Sequence, residues 1–140
     1  MLEERSAGVV LFNRAEGLQF LVLKYPSGHW DFVKGNIEQG EGEEETVKRE
    51  LLEETGINNI TLHKGFNEKA EYHYYRKNKI VHKIVSYYLA ETEQKDVKIS
   101  FEHLDYRWED YDNVLKLITF DNSKEILEKG SQLIKTLAKS

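Results

Sequence analysis

The sequence predicts an α+β fold in which a mixed β-sheet lies between helices. Short apolar segments separated by turn residues predict the strands, and two longer segments, residues 43–55 and 122–138, carry apolar residues at helical spacing. The chain has 140 residues, of which 39% are hydrophobic and 32% charged. This is the size and composition of one globular domain, which we expect over residues 1–140.

The first third of the chain alternates between extended segments and turns. Residues 8–12 and 18–24 are apolar and partly β-branched, and residues 14–17 form a turn, so the two segments are expected to pair as a hairpin. Residues 26–28, Pro-Ser-Gly, end this hairpin. Residues 29–34 form a short extended piece with aromatic side chains at alternate positions, and residues 35–42 form a glycine-containing loop.

The central helix is predicted over residues 43–55, where Val47 and Leu51, and less strictly Leu52, form an apolar stripe. Gly56 follows in the usual C-terminal position of a helix. The later segments are strand 57–66, a hairpin of 72–75 and 83–90 joined around 76–79, strand 106–108, helix 111–118 and helix 122–138.

The composition argues against several classes of protein. The longest apolar runs are far shorter than the roughly 18 residues that span a bilayer, and acidic residues precede the short apolar stretch near the N-terminus, so we expect neither a membrane protein nor a signal peptide. Cysteine is absent, which excludes disulfides and thiolate zinc sites. The net charge of −5 differs from the basic charge usual in DNA-binding proteins. We expect a cytoplasmic protein, and nothing in the sequence demands more than a monomer.

The acidic residues are concentrated between residues 38 and 54, where eight glutamates meet only two cations. Glu50, Glu53 and Glu54 stand at i, i+3 and i+4, which places them on one helix face with β-carbons roughly 5–6 Å apart. Such carboxylates repel one another, and a hard divalent cation relieves the repulsion. Because oxygen ligands without histidine or cysteine suit Mg²⁺ or Mn²⁺, the spacing predicts a metal site for phosphate chemistry rather than a solvated acidic face.

Neighbouring residues supply further parts of such a site. Arg49 directly precedes Glu50 and is expected to pair with Glu41 at the end of the loop, which would fix the loop against the helix. Gly35 lets the backbone approach an ion or a phosphate closely. Lys34 can offer a point positive charge to phosphate.

The segment from Gly35 to Ile57 resembles the Nudix box. The pattern is glycine, five residues, glutamate, seven residues, Arg-Glu-aliphatic, one residue, Glu-Glu, one residue and Gly-aliphatic, and every defined position matches. The resemblance implies an α/β/α sandwich that hydrolyses a nucleoside diphosphate linked to another group. It implies a catalytic group of Arg49, Glu53, Glu54 and Glu102, and metal ligands from Gly35, Glu50, Glu53, Glu54 and Glu102.

The flanks of the box resemble the asymmetric diadenosine tetraphosphate hydrolases of this family. The resemblance lies in residues 29–35 (His-Trp-Asp-Phe-Val-Lys-Gly), residues 74–79 (Tyr-Tyr-Arg-Lys-Asn-Lys), Lys83, residues 87–90, residues 102–108 and Phe120. It implies hydrolysis to ATP and AMP with Mg²⁺ or Mn²⁺. Lys34, Lys83 and His29 would contact the phosphate chain, Tyr74 and Phe120 would flank an adenine, and Glu102 would be either a metal ligand or the general base.

Two departures and three alternatives accompany this interpretation. Val33 stands where the subfamily usually has proline, and Asn36 where it often has histidine. Removal of pyrophosphate from RNA 5′ ends is one alternative, although those relatives tend to have Gln-Gly-Gly in place of residues 34–36. Hydrolysis of oxidised nucleotides or ADP-ribose is a second. A non-catalytic nucleotide-binding module is the third, but such modules commonly lose glutamates of the box, which this chain keeps.

Overall fold

The structure is a computed structural model that describes residues 2–137. Within that range it contains eight strands and three helices. The strands are β1 Leu2–Asn13, β2 Gln19–Lys24, β3 Trp30–Asp31, β4 Val33–Asn36, β5 Ile60–Leu62, β6 Glu68–Arg76, β7 Lys79–Thr92 and β8 Asp105–Glu109. The helices are α1 Glu43–Thr55, α2 Tyr111–Leu117 and α3 Asp121–Leu137.

The eight strands form one mixed sheet, which confirms the predicted fold class. β1 and β7 run parallel at its centre, with Leu2 opposite Val81 and Phe12 opposite Glu91. The other pairings are antiparallel: β1 with β2 and β4, β2 with β3 and β8, and β7 with β5 and β6. The two predicted hairpins correspond to the pairs β1–β2 and β6–β7.

The sheet separates two apolar clusters. On one face, Val47 and Leu51 of α1 pack with residues of β1 such as Val9. On the other face, Ile126 and Leu127 of α3 pack with a second set of strand residues. Because successive strand residues point to opposite faces, each central strand supplies both clusters. Leu51 and Leu127 are fully buried, and burial of such a side chain contributes roughly 1.5–3 kcal/mol.

A tight turn joins β6 to β7. Lys77 and Asn78, its central residues, have φ angles of 51° and 63°. Positive φ at both positions is the signature of a type I′ turn, whose twist matches that of the flanking strands. The turn fixes the register of the hairpin, in which Arg76 lies opposite Lys79 and His73 lies opposite His82.

Several predicted boundaries differ from the structure. The strands predicted over 8–12, 72–75 and 83–90 are longer, as β1, β6 and β7. Only Ile60–Leu62 of the predicted strand 57–66 pairs in the sheet, and Gly65, with φ 98°, turns the chain after it. The predicted loop 35–42 begins later, because residues 35 and 36 continue β4 by pairing with β1. The last helix begins at Asp121, and Ala138, its predicted last residue, lies outside the described residues. None of the helices over residues 2–137 is long and apolar enough to cross a membrane.

Candidate active site

Helix α1 positions the three carboxylates. Its first turn carries Glu43, Glu44 and Glu45, whose negative charge complements the positive end of the helix dipole. At the other end Gly56 adopts φ 75°, and its N–H donates to the carbonyl of Leu52. The left-handed conformation strongly favours glycine and ends the helix two residues after the last carboxylate of the box.

Glu50, Glu53 and Glu54 form a group whose carboxylate oxygens can lie within 4.8 Å of one another. Glu50 and Glu54 are buried, whereas Glu53 is exposed. Burial raises the pKa of Glu50, an effect that Arg49 opposes and the other two carboxylates reinforce. Burial also raises the pKa of Glu54. The donor set therefore fits a hard divalent cation, which would replace the lost hydration and relieve the repulsion.

Gly35 lies directly against Glu50. A β-carbon at position 35 would lie 2.1 Å from Cδ of Glu50, so any larger residue would displace the carboxylate. Antiparallel pairing with Ala7 of β1 holds Gly35 in place. Gly35 is thus required here for the close approach to Glu50. The cleft around these residues measures about 500 Å³ and is lined by Tyr25, Pro26, Lys34, Gly35, Asn36, Glu50, Glu54, Glu102 and His103.

Arg49 joins the loop after β4 to the helix. Its Nε lies 2.7 Å from Oε2 of Glu41 and its Nη2 lies 3.1 Å from Oε1. Nη2 also donates to the carbonyl of Asn36, and Nη1 donates to Glu50 at 2.8 Å and to Glu53 at 3.2 Å. The hydrogen bonds from Arg49 and Thr46 lower the pKa of Glu41 to about 2. The predicted pair of Arg49 and Glu41 is present.

Glu54 has two partners that the sequence did not identify, half-buried Ser100 and buried His103. Ser100 donates from Oγ to Glu54 at 3.1 Å, and His103 Nε2 contacts Oε2 of the same carboxylate. The ring of His103 also packs edge-on against Tyr25, with centroids 4.6 Å apart. Burial lowers the pKa of His103. Its position next to Glu102 was the available signal, but the sequence alone suggested a surface histidine.

Glu102 lies on the same loop, between Ser100 and His103. Its N–H donates to Oγ of Ser100, and Ser100 in turn donates its N–H to the carbonyl of Glu54. This chain of hydrogen bonds ties the loop to the end of α1 and places Glu102 in the wall of the cleft. Of the two departures from the subfamily pattern, Asn36 also lines the cleft and accepts a hydrogen bond from Ser6, whereas Val33 is buried in the core.

A second cavity of about 290 Å³ adjoins the first through Lys34. It is lined by Asp31, Lys34, Ala70, Tyr72, Tyr87, Phe120, Asp121, Asn122 and Ser123. Nζ of Lys34 lies 3.0 Å from buried Asp31 and 5.9 Å from the ring centroid of Tyr72. Burial alone would lower the pKa of Lys34, but Asp31 and Tyr72 outweigh it, so the pKa is raised and the side chain keeps its charge.

His29 lies among aromatic rings at the border of the two cavities. Its ring stacks on Tyr25, with centroids 4.7 Å apart and an interplanar angle of 6°, and it lies 5.1 Å from the ring of Phe120. Oγ of Ser27 contacts its Nδ1. Burial lowers the pKa of His29, which favours the neutral form of its ring.

Tyr74 and Lys83 meet at Glu4 rather than in either cavity. The hydroxyl of Tyr74 donates to Glu4 at 2.8 Å, and Nζ of Lys83 lies 3.3 Å from the same carboxylate. Burial opposes the ionisation of Glu4, but these contacts outweigh it and lower its pKa. The tyrosine of β6 that lines the cavity of Phe120 is Tyr72, which lies two residues before Tyr74 on the same face of the strand.

Comparison with known proteins identifies a family and close relatives. Residues 2–129 match the model of the NUDIX domain. A pig protein named bis(5′-nucleosyl)-tetraphosphatase [asymmetrical] is 33% identical over 96% of this chain and 97% of its own length. The crystal structure of a C. elegans Ap4A hydrolase binary complex superposes with a TM-score of 0.84 at 30% identity, over 95% of this chain and 98% of that one.

A more distant relative bears on the alternative activity. An RNA pyrophosphohydrolase from Wolbachia of Drosophila simulans is 28% identical over 91% of this chain and 89% of its own length. Its identity to this chain is lower than that of the pig tetraphosphatase over a similar share of the sequence.

Proposed function

Because the chain belongs to the Nudix hydrolase family, we propose that it hydrolyses dinucleoside polyphosphates, with diadenosine tetraphosphate as substrate and ATP and AMP as products. The observation that carries the proposal is the face of Glu50, Glu53 and Glu54, which lies next to a charged lysine and an aromatic cavity. The similarity to proteins named asymmetrical bis(5′-nucleosyl)-tetraphosphatases, which extends over nearly the whole chain, supports the substrate.

The working cation is proposed to be Mg²⁺, with Mn²⁺ as a substitute. The three carboxylates of the box would hold it, together with the carbonyl of Gly35 and with Glu102. Oxygen ligands and raised pKa values of Glu50 and Glu54 support a hard cation. When bound, such an ion polarises the phosphoryl oxygens and offsets the charge that develops on them.

Side chains of the protein would bind the substrate, activate the water and position the metal ligands. Lys34 remains charged between the two cavities, where it would contact the phosphate chain that joins them. Water would attack a phosphorus in line with the leaving oxygen, as in other phosphoryl transfers. Glu53 and Glu54 belong to the catalytic group, and Glu102 either takes the proton of that water or adds a metal ligand. Arg49 acts by fixing the loop and two carboxylates rather than by contacting the substrate.

The base of one nucleoside is proposed to lie against Phe120 in the smaller cavity. Phe120 is 46% exposed there, which leaves its ring available for stacking. Tyr72 would line the opposite side, in place of the expected Tyr74. Tyr74 and Lys83, which both contact Glu4, remain candidate substrate contacts. His29, whose ring stacks on Tyr25, would contact the nucleotide.

A panel of substrates tests the activity. We expect the highest kcat/KM with diadenosine tetraphosphate, lower values with ADP-ribose, oxidised triphosphates and 5′-triphosphorylated RNA, and loss of turnover when a chelator removes divalent cations. A clear preference for 5′-triphosphorylated RNA would instead support the RNA pyrophosphohydrolase activity. Metal-dependent turnover of none of these compounds would contradict the proposal. We further propose a cytoplasmic monomer, for which size-exclusion chromatography tests the oligomeric state.

A further inference from the structure

We propose that the outer half of the β6–β7 hairpin holds a second metal site, formed by His73, His82 and Glu71 and selective for a transition-metal ion such as Zn²⁺. The site lies apart from the catalytic carboxylates. His82 stands four residues before Ser86 on β7, roughly 13 Å along the strand. Ser86 and Tyr88 of β7 contact α1, each through a hydrogen bond to Glu43.

The two histidines are direct neighbours across the hairpin. His73 lies opposite His82 in the register, and their rings stack with centroids 4.8 Å apart at an interplanar angle of 14°. The two-residue turn makes Arg76 and Lys79 the hydrogen-bonded closing pair. Three pairs further, the histidines occupy a non-hydrogen-bonded position, where opposing side chains come closest.

Carboxylates complete the cluster. Oε2 of Glu71 lies 3.9 Å from Nε2 of His82. Glu3 of β1 lies opposite His82 on the other side, so three adjacent strands carry Glu, His and His in one row. Glu3 is also paired with Arg5 at 3.0 Å. We therefore assign the third ligand to Glu71 and to Glu3 the role of adding negative charge beside the ion.

The ligating atoms are available. Over residues 2–137, His73 and His82 accept or donate no hydrogen bond through their rings, and Glu71 uses its carboxylate only for the contact with His82. Imidazole and carboxylate ligands suit Zn²⁺, Ni²⁺ or Cu²⁺, whereas Mg²⁺ prefers oxygen alone. Ligand atoms at about 2.0–2.2 Å from zinc lie roughly 3–4 Å apart. Because stacked rings direct their nitrogen lone pairs in parallel, the two rings must leave the stack to bind one ion. His73 and Glu71 are exposed and His82 is half-buried, so this movement takes place at the protein surface.

Zinc titration by calorimetry tests the site. Protein stripped of metal is placed in excess Mg²⁺, which occupies the carboxylates of α1, and is then titrated with Zn²⁺. We expect one Zn²⁺ per chain, and we expect His73→Ala and His82→Ala to weaken its affinity by at least about tenfold, the loss that even removal of an outer-shell partner can produce. Glu71→Gln should weaken the affinity for Zn²⁺ as well. Glu93→Gln, the matched control at an exposed carboxylate directly after β7, should not weaken it.

Hydrolytic turnover with Mg²⁺ separates this inference from the catalytic one. The three variants of the hairpin should keep wild-type turnover, because their side chains lie outside both cavities. Zinc affinity that is unchanged in both histidine variants would overturn the proposal. Zinc binding that is lost in Glu54→Gln but kept in the histidine variants would also overturn it, since the ion would then lie in the catalytic cleft.

Discussion

The guanidinium of Arg49 donates two hydrogen bonds to the carboxylate of Glu41, with Nε 2.7 Å from Oε2 and Nη2 3.1 Å from Oε1. Two-point pairs of this kind fix orientation as well as distance. The same guanidinium donates to Glu50 and to the carbonyl of Asn36. One side chain therefore holds the loop, the helix and a candidate metal ligand in a single arrangement.

Glu41→Gln should lower the melting temperature at neutral pH, because it removes the charged partner of Arg49. The pKa of Glu41 is lowered to about 2 in the folded protein from 4.5. A lowered carboxyl pKa stabilises the fold above the unfolded value and loses that effect as pH falls towards the folded one. Thermal unfolding should therefore show a gap between wild type and variant that narrows from pH 4.5 towards pH 2. An equal gap across this range would contradict the assignment, and Glu38→Gln, 67% exposed and 3.5 Å from Arg49, is the control.

Divalent cation should suppress a fall in melting temperature that the metal-free protein shows as pH rises. Burial raises the pKa of both Glu50 and Glu54. A carboxyl whose pKa is raised on folding stabilises the fold when protonated and loses that contribution as pH rises above its unfolded value, near 4.5. Melting temperatures of the metal-free protein should fall as pH rises from this value through the raised pKa values, and Mg²⁺ should suppress the fall by binding the folded state. Parallel pH profiles with and without Mg²⁺ would exclude these carboxylates as the metal site.

Gly35→Ala should weaken cation binding and cost about 1–3 kcal/mol of stability. The added β-carbon would lie 2.1 Å from Cδ of Glu50, and strain of this kind from added atoms has that magnitude. Calorimetric titration with Mg²⁺ and denaturant unfolding measure the two effects. Gly42→Ala is the matched control, because its β-carbon would meet Oε1 of Glu45 at an ordinary 3.4 Å. Equal behaviour of the two variants would contradict the close approach of Gly35 and Glu50.

Alanine substitutions separate the two tyrosines of β6. Phe120→Ala and Tyr72→Ala should each lower kcat/KM for diadenosine tetraphosphate, since loss of one base-stacking ring costs about 1–3 kcal/mol, which is roughly 5- to 150-fold. Tyr74→Ala should have the smaller effect, because its hydroxyl is bound to Glu4 outside the cavity. A larger loss in Tyr74→Ala than in Tyr72→Ala would place the base beyond the cavity of Phe120.

The local parts of the site could be predicted from the sequence, and the long-range parts could not. Glu50, Glu53 and Glu54 belong to one helix, so their spacing alone placed them on one face. His103 and Ser100 reach Glu54 from 46 or more positions away, through a loop whose path depends on the whole sheet. Tyr72 and Tyr74 share one face of a strand, so alternation could not decide between them. The predicted strand 57–66 failed because its apolar residues could not reveal where the chain leaves the sheet.

The products formed from diadenosine tetraphosphate in Mg²⁺ test the central claim most directly. Chromatography of the wild-type reaction should give ATP and AMP in equal amounts. The same assay with Glu54→Gln should show turnover lowered by about a hundredfold or more, because several kcal/mol of charge stabilisation is lost, while Glu44→Gln on the exposed side of α1 should react normally. Formation of ADP alone, or near-normal turnover by Glu54→Gln, would contradict hydrolysis by the metal-binding carboxylate face of α1.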